Sequence, residues 1–474
     1  RAGIPGWNAS SMEGEPGMRT GEITMAEVFG EAGYATAHIG KWHFGIHGHD
    51  ISPESEGFDV NFGGSPLVGA VKSHFAPFPG LPGDVESDPG EYLTDRLTEE
   101  TIGFIRENRD RPFYVQLWHY APHTPIEAPE SVVDKYRAKR RALGDESLNP
   151  TYAAMIDVVD QGVGRILAEL ERLGLSERTV ILFTSDNGGV AHLGSIPVTS
   201  MAPLRGEKGF TYEGGVREPM FIFWPGQTRP GTESDVPVSM LDFYPTILEM
   251  AGAPLPDQPV DGVSLVPLLT TGSQPALRDR PLFWYNVTAG MKADGTVFQP
   301  VAAVRRGRWR LVRNFGRPPE LYDLVRDPAE SDNLADRNPE TRDALATLLS
   351  DWLTDTGIVT PTPNPAYDPD YVIPRQVPAE RLPETTAVAR EWVLDGPGCG
   401  WRAARMVDTS FVDGAMRLTA TGGYPEIMTP DVSGLPPGRY AVQMELRVPT
   451  SGRIRFAYSG EKRDRATAEF FPQR

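Results

Sequence analysis

An α/β fold on a mainly parallel central sheet flanked by helices is what the sequence predicts, on three observations. A helical apolar pattern leading directly into a short apolar strand occurs three times, and each of those strands runs into polar residues at its C-terminal end. The most apolar of them, Thr179 to Phe183, is β-branched, aromatic or aliphatic without polar alternation, as in a strand covered on both faces. Ligands of open α/β sheets gather at the C-terminal strand edge, so the polar residues there are the first candidates for a site.

The first unit starts at Thr24, which with Glu27 forms a capping-box pattern ahead of apolar residues at helical spacing, and Gly33 stops that helix. Ala35 to Gly40 reads as a buried strand with Lys41 and His43 just past its end. In an extended segment those two side chains point the same way and can bind an anion and transfer a proton; a solvated lysine beside a packed histidine is the alternative. The second unit joins a helix over Tyr92 to Asn108 to a strand over Phe113 to Trp118. His123 follows between Pro122 and Pro125, whose rings stiffen the loop; it is either a catalytic imidazole or a surface-loop histidine.

The third unit runs from a helix over Met155 to Leu173 into the Thr179 strand. Asp186 and Asn187 then place two adjacent oxygen donors on the rim, suited to a hard cation such as Ca2+ or Mg2+, or else form an Asx turn. Glycines on both sides of Glu207-Lys208 let Lys208 approach a ligand closely, while Glu213 and Arg217 pair to hold the loop. Met220 to Pro225 is a further strand and Leu241 to Met250 a further helix.

A chain of 474 residues is too long for one ordinary core, so two or three domains are expected. The net charge of -18 argues against a general nucleic-acid surface, and no apolar run approaches the roughly 18 residues of a membrane span. The single cysteine, Cys399, excludes an internal disulfide framework. Arg1 is not a natural start, so the chain reads as a piece of a longer one and the missing targeting signal says little.

Gly40-Lys41-Trp42-His43-Phe44-Gly45, Ala121-Pro122-His123-Thr124-Pro125, Ser185-Asp186-Asn187-Gly188 and Leu204-Arg205-Gly206-Glu207-Lys208-Gly209 occur in the order and spacing of the formylglycine-dependent sulfatases, of the alkaline phosphatase-like superfamily. The resemblance extends over about residues 1 to 355 and includes Glu56-Gly57-Phe58-Asp59 and Glu320-Leu321-Tyr322-Asp323-Leu324. It implies that Asp186 and Asn187 match a pair of calcium ligands and that Lys41 and Lys208 contact the sulfate group. It also implies that His43 assists release of sulfate from the nucleophile and that His123 stands at the leaving-group oxygen. The family's nucleophile is a formylglycine made from Cys or Ser in a Cys/Ser-x-Pro-x-Arg motif, and no such motif occurs in these 474 residues. The family's first metal-ligand pair, two aspartates, is absent as well. Arg1-Ala2-Gly3 resembles the segment just after the nucleophile helix, so both are expected immediately upstream, and the chain as it stands is expected to be inactive.

Residues 1–290 are expected to form the catalytic domain. Residues 291–358 form a small antiparallel subdomain, with a hairpin over Ala302 to Val312 turning near Gly307 and a helix over Pro339 to Leu353. Residues 359–388 read as a proline-rich linker. Over 389–474, short alternating stretches such as Ala415 to Ala420 and Tyr440 to Leu446 indicate a β-sandwich resembling accessory carbohydrate-binding modules. The expected activity is hydrolysis of an aryl or saccharide sulfate ester with Ca2+, in the bacterial periplasm or outside the cell, with no nucleic-acid partner and the oligomeric state open. A phosphomonoester or phosphodiester hydrolase of the same superfamily, and a noncatalytic glycan-binding protein, remain as alternatives.

Overall fold

The computed structural model describes residues 21–44, 51–65, 69–79, 81–82, 85–145, 147–193, 196–286, 300–358 and 360, the strands Gly290–Met291 and Val297–Phe298, and six strands between 402 and 470. Helix α1 (Met25–Glu31) begins where the capping box places it. The Thr24 hydroxyl accepts from the Glu27 N–H at 3.1 Å, and the Thr24 N–H donates to the Glu27 carboxylate at 2.7 Å. Strand β1 (Ala35–Gly40) is buried along its whole length, at the centre of a parallel three-stranded sheet ordered β2 (Val60–Phe62), β1, β3 (Phe113–Trp118). Gly40 lies opposite Trp118, so Lys41 and His119 leave the sheet at one edge. Helix α2 (Leu93–Glu107) lays Leu93, Leu97 and Phe104 on the core formed with Ala35, Ala37 and Ile39.

Two helices follow β3. The first, α3 (Glu130–Leu143), buries only Val133, and its many charges hide it from a search for an apolar stripe. The second, α4 (Pro150–Arg172), starts ahead of Met155, because the Asn149 side chain accepts from the Thr151 and Tyr152 N–H groups and Pro150 occupies the first helical position.

Strand β4 (Ile181–Thr184) departs from expectation. It pairs antiparallel with β5 (Met220–Phe223) and is not the fully covered parallel strand that its sequence suggests. Ile181 packs at one end of its face with Phe113 and Ile166, but along that same face Phe183 is 40% exposed, Phe221 67% and Phe223 47%. Among the described residues β4 has a strand on one side only, and the aromatic face it shares with β5 is largely open. Helix α5 (Phe243–Ala251) then packs Leu248 on Val28 and Phe29 of α1.

The C-terminal part of this unit is a four-stranded antiparallel sheet ordered β9 (Glu320–Asp323), β8 (Trp309–Asn314), β7 (Val301–Arg306), β6 (Leu282–Asn286). The β7–β8 hairpin turns at Gly307 and Arg308, with Gly307 at φ +57°. Since β6 belongs to this sheet, the subdomain starts ahead of the expected residue 291. Helix α6 (Pro339–Asp355) covers one face, burying Leu345, Leu349 and Leu353 against Ala302, Val304, Leu311 and Leu321. The other face, through Val301, Ala303, Val312 and Tyr322, packs on Tyr212.

The chain divides into compact units at Pro363/Asn364. In the second unit, Val407–Val412 pairs antiparallel with Ala415–Ala420, Arg402–Arg405 with Glu426–Met428, and Ile454–Tyr458 with Ala466–Phe470. The expected linker beyond residue 360, the stretch Tyr440 to Leu446, Cys399 and Arg1-Ala2-Gly3 lie outside the described residues. No described helix is long and apolar enough to cross a membrane.

Candidate active site

Four loops meet beside the C-terminal ends of β1 and β3. The first leaves β1, where the Lys41 N–H donates to the Trp118 carbonyl at 2.8 Å, tying it to the end of β3. His38, fully buried on β1, carries the Nε2 proton, because that nitrogen lies 3.2 Å from the Gly40 carbonyl and 3.1 Å from that of Lys41. The extended geometry expected for Lys41 to His43 fails at His43, which has φ +64°. Its N–H donates to the Ser65 carbonyl at 3.0 Å, and the backbone at Gly69 abuts its ring. A Cβ on Gly69 would stand 2.0 Å from the His43 Cε1, so a glycine is required there for this imidazole to keep its place.

The second loop follows β3. His123 N–H donates to the Tyr120 carbonyl at 2.9 Å, and its ring Nδ1 lies 3.3 Å from the Thr124 carbonyl and 3.1 Å from the Thr124 hydroxyl. A carbonyl only accepts, so Nδ1 carries the proton in the neutral ring and Nε2 is the basic nitrogen.

The third loop, after β4, carries Asp186 and Asn187. Asp186 Oδ1 accepts from the Asn187 N–H at 2.9 Å, and the Asn187 amide donates to the Gly188 carbonyl at 3.1 Å. Carboxylate and carboxamide oxygens are the donors that Ca2+ takes, but they are two where that ion takes about six to eight. Among the described residues no cluster of three or more His, Cys, Asp or Glu completes the set. The pair fits such a cation in kind and fills part of its shell. Beside it stands Glu218, which sequence reasoning missed. Burial and the Asp186 charge push its carboxyl up, and its Oε1 is buried without a hydrogen-bond partner.

The fourth loop carries Lys208. Gly206 and Gly209 adopt φ of +83° and +93°, and the Lys208 N–H donates to the Gly189 carbonyl at 3.0 Å, joining this loop to the third. From beneath, Arg205 lies 4.0 Å over the Tyr212 ring and donates to the Tyr322 hydroxyl at 2.7 Å and the Glu330 carbonyl at 3.0 Å. The Asn286 amide donates to the Gly209 carbonyl at 2.8 Å. Glu213 pairs with Arg217 as expected, at 3.6 Å. Its shorter contact is with Arg310 at 2.6 Å, and Arg310 in turn lies 3.3 Å from Glu330; all three are buried. Burial pushes the Glu330 carboxyl up to about 7, with Arg310 opposing. A pocket of about 300 Å3 opens beside this loop, lined by Ala191, Arg205, Gly206, Glu207, Phe210 and Tyr212, so none of the six residues singled out in the sequence lines it.

Electrostatics tie the loops together. Burial, then the charges of Lys41, His123 and Lys208, hold His43 down to about 4. Burial followed by Lys208 and Lys41 lowers His123, with Thr124 and Asp186 opposing. Burial and Lys208 lower Lys41, which Asp186 partly offsets. Lys41, His43, His123, Lys208 and Asp186 are therefore brought together, with Asn187 adjoining.

The family model described as Sulfatase matches residues 4–253, more than half of the 474. The model described as N-sulphoglucosamine sulphohydrolase, C-terminal, matches residues 206–355, from the Lys208 loop through the antiparallel sheet and α6. Among curated proteins the chain is similar to an uncharacterized sulfatase, YdeN, of Escherichia coli, at 34% identity over 56% of this chain, and it spans only half of that relative's length. It is similar also to human arylsulfatase A, at 31% identity over 70% of this chain and 71% of the relative. A solved structure described as Ps i-CgsB in complex with k-i-k-neocarrahexaose superposes with a TM-score of 0.60 at 27% identity, covering 72% of this chain and 76% of that one. On the matched family model and the shared length with arylsulfatase A, this chain belongs to the sulfatase family.

Proposed function

We propose that the chain serves the hydrolysis of sulfate monoesters, and that its substrates are sulfated saccharides. One observation carries this reading: two lysines and two imidazoles from three loops act on one another beside Asp186. A sulfate group between Lys41 and Lys208 has its charge balanced where the leaving oxygen gains negative charge as the S–O bond breaks. His43, held down to about 4, is neutral at pH 7 and accepts a proton. His123 is lowered by burial and then by the same lysines, so a bound anion that offsets their charge favours its protonated form, which donates to the leaving oxygen. In this reading Ca2+ held in part by Asp186 and Asn187 would stabilise charge on the sulfate oxygens. The formylglycine is assigned to sequence outside these 474 residues, since they hold no Cys/Ser-x-Pro-x-Arg motif. The saccharide preference is supported by the matched N-sulphoglucosamine sulphohydrolase C-terminal model and by the neocarrahexaose-bound relative.

The test is turnover of sulfated oligosaccharides, 4-nitrophenyl sulfate and 4-nitrophenyl phosphate by the full-length protein. His123→Ala and Lys208→Ala are each expected to cut sulfate turnover by at least about 10²-fold. Asp186→Ala is expected to abolish Ca2+ binding measured by calorimetry. Preferential cleavage of the phosphate ester would replace this reading with a phosphohydrolase, and glycan affinity without turnover would replace it with a binding protein.

A further inference from the structure

His74 lies between β2 and α2, is fully buried, and takes no part in the chemistry above. Its Nε2 is 3.0 Å from the carbonyl oxygen of His123. A carbonyl only accepts, so Nε2 carries the proton, and the buried Nδ1 has no hydrogen-bond partner. The hydrogen bond recorded for this ring is therefore a donation to the backbone of the residue that supplies the second imidazole. Burial pushes its pKa down, against smaller upward effects of the His123 carbonyl and Glu127, so the ring is neutral at pH 7.

His74 is itself held from both sides. Its N–H donates to a Glu127 carboxylate oxygen at 2.8 Å, and the Ser73 hydroxyl donates to the same oxygen at 2.9 Å. The Leu93 N–H donates to the His74 carbonyl at 2.8 Å, which fixes it to the first residue of α2. The Tyr92 hydroxyl donates to the Glu127 carbonyl at 2.8 Å. Glu127 follows His123 on the same loop, so the connections close a ring: His123 carbonyl, His74 ring, His74 backbone, Glu127, and back along the chain to His123. An apolar side chain of equal volume would fill the space and leave the His123 carbonyl without its donor, an unsatisfied acceptor in a part-buried site.

We infer that His74, seated by Glu127, is a positioning residue that fixes the His123 loop and with it the imidazole at the leaving-group oxygen. The inference rests on the proposed role of His123, and misplacing a proton donor by about 1 Å can cost on the order of 10² in rate.

The experiment follows the His123 ring by NMR in the histidine-labelled chain, comparing wild type with His74→Gln, whose amide can donate to the same carbonyl, and His74→Phe, which cannot. His74→Phe is expected to move the His123 titration midpoint up towards the ordinary imidazole value by at least about half a pH unit, as the loosened loop loses burial, while His74→Gln keeps the wild-type midpoint. An unmoved His123 in His74→Phe, or an equal shift in His74→Gln, would overturn the inference. Should His74→Phe lose the fold, Glu127→Ala, which keeps the ring and removes its anchor, is read instead with the same shift expected and the same overturning result. In the full-length protein, kcat for a saccharide sulfate should fall at least about tenfold more than kcat for 4-nitrophenyl sulfate in His74→Phe, with KM unchanged, because the poorer leaving group depends more on the acid. If the NMR shift appears while His123→Ala leaves that leaving-group dependence intact, the clamp stands and the acid role of His123 falls.

Discussion

The β4–β5 pair and the β6–β9 sheet are built from similar residues and end in opposite conditions. In the C-terminal sheet, Ala302, Val304, Leu311 and Leu321 are fully buried, because β7 and β8 each have strands on both sides, α6 covers one face and Tyr212 packs on the other. In β4 and β5, Phe183, Phe221 and Phe223 stand open although the run is as apolar. Burial is thus a property of the sheet that receives a strand, and a strand's composition reports only what it is able to pack against. For the site the consequence is an asymmetry: Lys208 is anchored to the completed region, while Asp186 ends the strand that lacks a second neighbour among the described residues.

Breaking the completed region should cost most. Arg310→Ala takes from Glu213 its shortest ion-pair partner and from buried Glu330 the guanidinium 3.3 Å away, and is expected to destabilise the fold by about 3–5 kcal/mol in denaturant unfolding. Leu321→Ala opens a cavity under α6 and should cost about 2–5 kcal/mol in the same measurement. Phe221→Ala, on the open pair, should stay within about 0.5 kcal/mol. A loss in the Leu321 range would show that sequence outside the described residues lies on β4 and would erase the contrast. The last change leaves stability aside: Lys41→Gln removes a positive charge that lowers His43, so the His43 ring titration, read by NMR, should move up from about 4.

Much of this was legible from residues alone. The capping box at Thr24, the helix–strand units ending at Lys41, His123 and Asp186, and the hairpin turning at Gly307 follow from local chemistry acting over a few residues. What escaped acts across the chain. The antiparallel partner of β4 comes from Met220–Phe223, beyond any local signal. His74 and Gly69 meet the two site histidines only through the fold, and Glu218 reaches Asp186 from the far side of the Lys208 loop. Arg310 looks in sequence like any cation of an alternating hairpin, and its burial follows from facing Glu213 and Glu330 across the chain. The left-handed backbone at His43 had no signal either, since a histidine there is uncommon and is held by Ser65 and Gly69.

The attachment of Arg205 to Tyr322 and to the Glu330 carbonyl has a bearing on how such chains can be recombined. A chimaera that exchanged β6–β9 and α6 with those of a relative would keep Lys41, His43, His123, Asp186 and Lys208, yet the seat of the Lys208 loop would have been replaced. The seam of inheritance in this protein therefore runs through the Arg205 contact, and a graft that respects it must carry residues 205 to 217 together with the sheet they lean on.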